Sequence, residues 1–174
     1  MTEVVPDTKD WTWVLARPCP ECGLEAAALA TGEVAPRLRT SVAAWSHVLA
    51  RPDVRVRPAV QVWSPLEYAC HVRDVYRLYD ERLRLMLEQD DPLYADWDQD
   101  ETAVRDAYGT QHPAAVTGQL QQAGEALAAR FDGVRGEQWE RRGRRSDGAR
   151  FTVASIGRYL LHDVEHHLHD VGAA

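Results

Sequence analysis

No apolar run in this chain approaches the roughly 18 residues needed to cross a bilayer, so nothing in it reads as a membrane span. The opening residues, MTEVVPDTKD, lack both the basic start and the apolar core of a secretory signal, and the expected location is the cytoplasm. Cysteine is scarce: three residues, an odd number, fit a reducing compartment better than a disulfide framework. Positive charge is short as well. The 20 basic residues face 27 acidic ones, a net charge of −7, and the arginines are interleaved with Asp and Glu. That argues against nucleic acid as the main ligand, because phosphate binding needs a concentrated positive surface. The one basic cluster, Arg141, Arg142, Arg144 and Arg145, adjoins Ser146, Asp147 and Gly148 and reads as a solvated turn. Internal repeats, low-complexity tracts and strand-like alternation are missing too.

What remains is a chain of 174 residues with 45% hydrophobic and 27% charged content, enough to bury one core without staples. A single domain over 1–174 is expected, with residues 1–32 as an extension and 33–174 as a helical bundle. Apolar residues recur at helical spacing in four places. The first helix starts near Val34 to Pro36, carries Leu38, Val42, Trp45 and Leu49, and ends before Pro52. The second has the strongest start signal. Ser64 can cap, Pro65 suits the first helical position and Glu67 completes a capping box, after which the pattern runs to about Gln89. A linker holding Trp97 and one short helix leads to a third helix from Pro113, closed by Gly133 and Gly136. Thr152 then caps a final helix from Val153 to about Val171. The expected class is all-α, a four-helix bundle with a long connection between helices two and three.

Five of the seven histidines lie in two places: His71 on the second helix, and His162, His166, His167 and His169 on the last. His162 and His166 are four apart, which sets their Cβ atoms about 5–6 Å apart and lets two imidazoles converge on one ion. Ser155, Tyr159, His162, His166 and His169 share one helical face, beside an apolar stripe of Val153, Ile156, Leu160 and Val164. His71 supplies a third ligand, and Asp74, one turn on, is expected to orient it. His167 points about 100° away from His166 and reads as a packing or surface residue. His47 and His112 have no identifiable partner. Cys19-Pro20-Glu21-Cys22-Gly23 is half of a zinc knuckle or a redox pair, and a reversible disulfide, an auxiliary metal clamp and a structural turn all remain open for it. Cys70 reads as a small buried hydrophobe.

The segments Trp63-Ser64-Pro65-Leu66-Glu67-Tyr68-Ala69-Cys70-His71-Val72-Arg73-Asp74 and Tyr159-Leu160-Leu161-His162-Asp163-Val164-Glu165-His166-His167-Leu168-His169-Asp170 resemble the second-helix and terminal-helix motifs of the DinB superfamily. The likeness runs over about residues 34 to 171. It implies a divalent ion, zinc first and otherwise nickel, iron or manganese, on His71, His162 and His166; some members place the terminal pair one turn later, here His166 and Asp170. His169 and Asp170 otherwise stand as supporting residues. The resemblance also implies a thiol-dependent S-transferase or related hydrolase, with mycothiol as the low-molecular-weight thiol. The other reading is a non-catalytic metal-binding stress or small-molecule-binding protein. Three ligands and a cavity lined by Tyr68, Arg73 and Tyr159 would favour catalysis, whereas a fourth protein ligand would favour structure. The expected partner is a small molecule, with no nucleic acid and no membrane; a homodimer is left open.

Overall fold

The computed structural model of the protein describes residues 10–173; residues 1–9, and with them most of the opening segment, lie outside the described residues. Five helices make up most of it: α1 (Val34–Leu49), α2 (Pro65–Glu88), α3 (Gln99–Arg105), α4 (Pro113–Asp132) and α5 (Val153–Asp170). The four long helices stand where their apolar periodicity puts them, and α3 is the short helix of the linker. At the start of α2 the Ser64 hydroxyl accepts the Glu67 backbone N–H at 3.3 Å, and the Glu67 carboxylate accepts the Ser64 N–H at 2.8 Å. Thr152 and Ser155 make the same reciprocal cap at the start of α5. Each cap satisfies amides that the helix itself leaves without partners.

α4 packs against both α1 and α2, and α5 lies across the same two helices. Gly124 of α4 lets the helices approach closely, since a Cβ there would sit 2.2 Å from Val42 Cγ2 and 3.1 Å from the Tyr76 ring. Trp45, Tyr76, Leu120, Leu127, Ile156 and Leu160 form the fully buried centre. Cys70 is buried among them, as expected. No helix among the described residues is long and apolar enough to cross a membrane.

A small sheet, not expected from the sequence, completes the fold. β1 (Leu93–Tyr94) pairs in parallel with β2 (Arg142–Arg145), which pairs antiparallel with β3 (Arg150–Thr152). The arginines expected in a solvated turn form β2 and its approach. Arg141 donates to the carbonyls of Met86 and Gln89, and Arg144 pairs with Asp91. The Arg141 contacts satisfy carbonyls that the end of α2 leaves open, so that arginine serves a helix C-terminus.

The extension is not loose. Val14, Cys19 and Ala26 are buried, Trp11 and Trp13 stack at 5.7 Å, and Arg158 of α5 holds the Leu29 carbonyl at 2.9 Å.

Candidate metal centre

Two clusters of metal-ligating side chains meet on α5. In the first, His71 Nε2 of α2 lies 3.3 Å from Asp163 Oδ1, and His167 Nε2 lies 3.5 Å from the same oxygen. In the second, Cys19, Cys22, His162 and His166 each offer one donor atom, and all four lie within 4.8 Å of one another. The trio expected to share an ion, His71, His162 and His166, does not form a set: its members are divided between the two clusters. The alternative pair fares no better, because Asp170 makes its shorter contact with His167, at 2.8 Å, and stands 3.7 Å from His166. The reason is rotational. α5 meets α2 along the edge carrying 163 and 167, and one residue back, about 100° around the helix, 162 and 166 face the extension.

The first cluster is clamped by aromatic rings. His71 is fully buried, stacked on Trp97 at 5.4 Å and leaning on Trp63 at 5.5 Å. Its Nδ1 is buried without a hydrogen-bond partner among the described residues, so Nε2 is the nitrogen held by a polar contact. His167 Nδ1 lies 2.8 Å from Asp170 Oδ2, a contact that presents Nε2 towards Asp163. Tyr68 covers His167 at 5.0 Å. Burial pushes the Asp163 carboxyl up, but His71, His167 and His162 around it outweigh burial and hold it below the ordinary carboxylate range.

In the second cluster, burial and the neighbouring His166 bring His162 down to about 4, and burial lowers His166 as well. Both rings are therefore neutral at neutral pH, the form that coordinates metals. Burial raises the Cys22 thiol to about 11.

A cleft of about 930 Å³ opens over these residues. Asp163, His167 and Asp170 reach it, as do His162 and His166, and Trp11, Trp63 and Trp97 stand in its wall. Eight carboxylates and two arginines, Arg82 and Arg145, line it, so its field draws cations. Tyr68 and Tyr159 line the cleft as expected, but Arg73 does not. Arg73 is tied to Asp74 at 2.8 and 2.9 Å and to Gln111 and Gln119. Asp74 does not orient His71: its oxygens are taken by Arg73, Arg77 and the Tyr108 hydroxyl, the last at 2.6 Å. His169 is exposed, its ring 6.3 Å from that of His166.

Residues 37–171 match the family profile described as the DinB superfamily. The chain belongs to the DinB superfamily. Its fold agrees: YfiT from Bacillus subtilis, described as a probable metal-dependent hydrolase with an unusual four-helix bundle topology, superposes with a TM-score of 0.71 at 17% identity, over 80% of this chain and 82% of that one. No curated protein sequence matches the chain.

The donor geometry can be tested against a metal. Bonds of about 2.0–2.2 Å to nitrogen and oxygen in a tetrahedron separate neighbouring ligand atoms by about 3.3–3.6 Å. The two separations at Asp163, 3.3 and 3.5 Å, are such edges. With all three donor atoms within 4.8 Å of one another, His71, Asp163 and His167 therefore fit a divalent ion. Sequence reasoning missed Asp163 and His167. Their signal was present: they have the same four-residue spacing as His162 and His166, one position later.

Proposed function

We propose that this DinB-superfamily chain is a metal-dependent enzyme that holds its ion on His71, Asp163 and His167 and acts on a small molecule in the aromatic cleft. The observation that carries the reading is the three-donor cluster at the cleft. Three protein ligands are the pattern of a catalytic site, whereas four close a structural one. The likeness to YfiT, itself described as a probable metal-dependent hydrolase, agrees with this class of chemistry.

A divalent ion bound there supplies Lewis acidity and a lowered pKa for a coordinated water or thiol. The chain's residues do the rest. Asp170 fixes the tautomer and direction of His167 through the 2.8 Å contact at Nδ1. Trp63 and Trp97 hold the His71 ring between them and keep water from its flanks. Two imidazoles and one carboxylate suit zinc, nickel, iron or manganese alike. The reactions that fit are transfer of a low-molecular-weight thiol, mycothiol or a relative, to an electrophile, and hydrolysis of a small ester or amide.

The test is turnover. Protein loaded in turn with each of the four metals is screened with mycothiol, bacillithiol or glutathione against electrophilic acceptors, and with activated esters. The expected result is turnover with at least one pairing, lost in His167→Ala. Tight binding of an ion with no turnover in any pairing would overturn the enzymatic reading and favour a metal-binding protein without catalysis.

A further inference from the structure

We infer that Cys19, Cys22, His162 and His166 form a second metal site, a closed structural zinc site that fastens the N-terminal extension to α5. It is separate from the three-donor site at the cleft.

The four donors come from a sequence-distant pair of thiols and a helical pair of imidazoles, yet all lie within 4.8 Å of one another. Zinc bonds of about 2.3 Å to sulfur and 2.0–2.1 Å to nitrogen put such atoms about 3.6 Å apart in a tetrahedron, and Cys19 Sγ lies 3.7 Å from His166 Nδ1. The other nitrogen of that ring, Nε2, is near two carboxylates, Glu21 at 3.5 Å and Asp170 at 3.7 Å. Acceptors there keep the proton on Nε2 and leave the Nδ1 lone pair facing the sulfur. His162 is 3% exposed, and its Nε2 is enclosed with no hydrogen-bond partner among the described residues. A buried imidazole so placed costs stability unless something uses its nitrogens.

The chain is also shaped for the task. The Cys19 N–H donates to the Leu24 carbonyl and the Gly23 N–H to the Cys19 carbonyl, both at 2.9 Å, with Gly23 at φ +75° closing the turn. This knuckle brings both sulfurs within 4.8 Å of the two imidazoles. Trp11 caps the imidazoles at 5.3 and 5.1 Å. A disulfide within the CxxC would leave both imidazoles without a role, while an S₂N₂ tetrahedron uses every donor and selects zinc among common cellular divalents.

Cobalt(II) distinguishes the two sites, because only thiolate ligands give an intense near-ultraviolet charge-transfer band. Reduced, metal-free full-length protein is titrated with Co²⁺ and then Zn²⁺, with far-ultraviolet circular dichroism as the check on folding. The parent should take up two ions, one carrying the band, which zinc abolishes. Cys22→Ser and His166→Ala should each bind one ion and lose the band, and His71→Ala should bind one and keep it. In Cys22→Ser, amide exchange in residues 12–28 should speed up while α2 stays protected. No charge-transfer band in the saturated parent, an unchanged band in Cys22→Ser, or loss of the same single ion in both Cys22→Ser and His71→Ala would overturn the inference.

Discussion

The start of α2 carries a buried carboxylate whose replacement tests how the cleft is held. Glu67 receives the backbone N–H and hydroxyl of Ser64, both at 2.8 Å, and is gripped bidentately by Arg57 from the preceding loop. That loop delivers Gln61, Val62 and Trp63 to the cleft, so the pair fixes the wall that leans on His71. Burial pushes the Glu67 carboxyl up, but the bonds from Arg57 and Ser64 outweigh it and hold it below the usual range. Two unit charges about 4 Å apart at an effective dielectric of about 20 attract by about 4 kcal/mol. The Arg57 side chain is 35% exposed, so screening by solvent brings the useful part to about 2 kcal/mol. Glu67→Gln keeps size and part of the cap but loses the charge. For a chain of this length about 2 kcal/mol is a fall of roughly 4–8 °C in melting temperature. The assay is thermal unfolding at pH 7 in chelator, repeated towards acid. A depressed carboxylate pKa gives stability that is present above the unfolded-state value, about 4.3, and lost as pH falls through the folded value. The gap between parent and variant should therefore close below about pH 4. Equal melting temperatures at pH 7, or a gap that widens in acid, would refute the reasoning.

Asp163→Asn should weaken the ion of the three-donor site by at least about tenfold, since it removes the charge that both His71 and His167 approach; equal affinity by calorimetric titration would remove Asp163 from the ligand set. Asp74→Asn should leave metal affinity unchanged and destabilise the fold by about 1–3 kcal/mol, because its partners are Arg73 and Tyr108, and the two outcomes separate in a metal titration run beside thermal unfolding. Gly124→Ala should lower stability by about 1–2 kcal/mol, as the clash with Val42 outweighs the better helix propensity of Ala, and a melting temperature above the parent's would show that α1 yields at that crossing. Chelation should lower the melting temperature while far-ultraviolet helicity persists at about 25 °C, because the bundle's apolar core is complete without an ion.

The long helices were legible because their signals are local: apolar periods mark all four, and Ser64 with Glu67 and Thr152 mark two of the starts. The sheet was not, since Arg142–Arg145 is a polar strand without alternation, and its pairing with Leu93–Tyr94 joins segments some fifty residues apart. At the site, His71 and the terminal helix both contribute to donor clusters, but the preference for two imidazoles over an imidazole and a carboxylate set Asp163 aside. That preference ignored the two thiols about 140 residues upstream, which give His162 and His166 partners of their own. Asp74 failed for a similar reason. Its helical spacing from His71 was right, but Arg73 and Tyr108 reached it first.

Adjacent residues of α5, 162 with 163 and 166 with 167, point into two different donor sets, so one rigid rod serves both. A rotation of α5 about its axis that improved one set would spoil the other, and the helix has a single angular setting that satisfies α2 and the extension together. Occupancy of either set pins that setting and spares the other the entropy of finding it. Thermodynamic reciprocity then makes the coupling symmetric: whatever factor one ion adds to the affinity of the second, the second adds to the first.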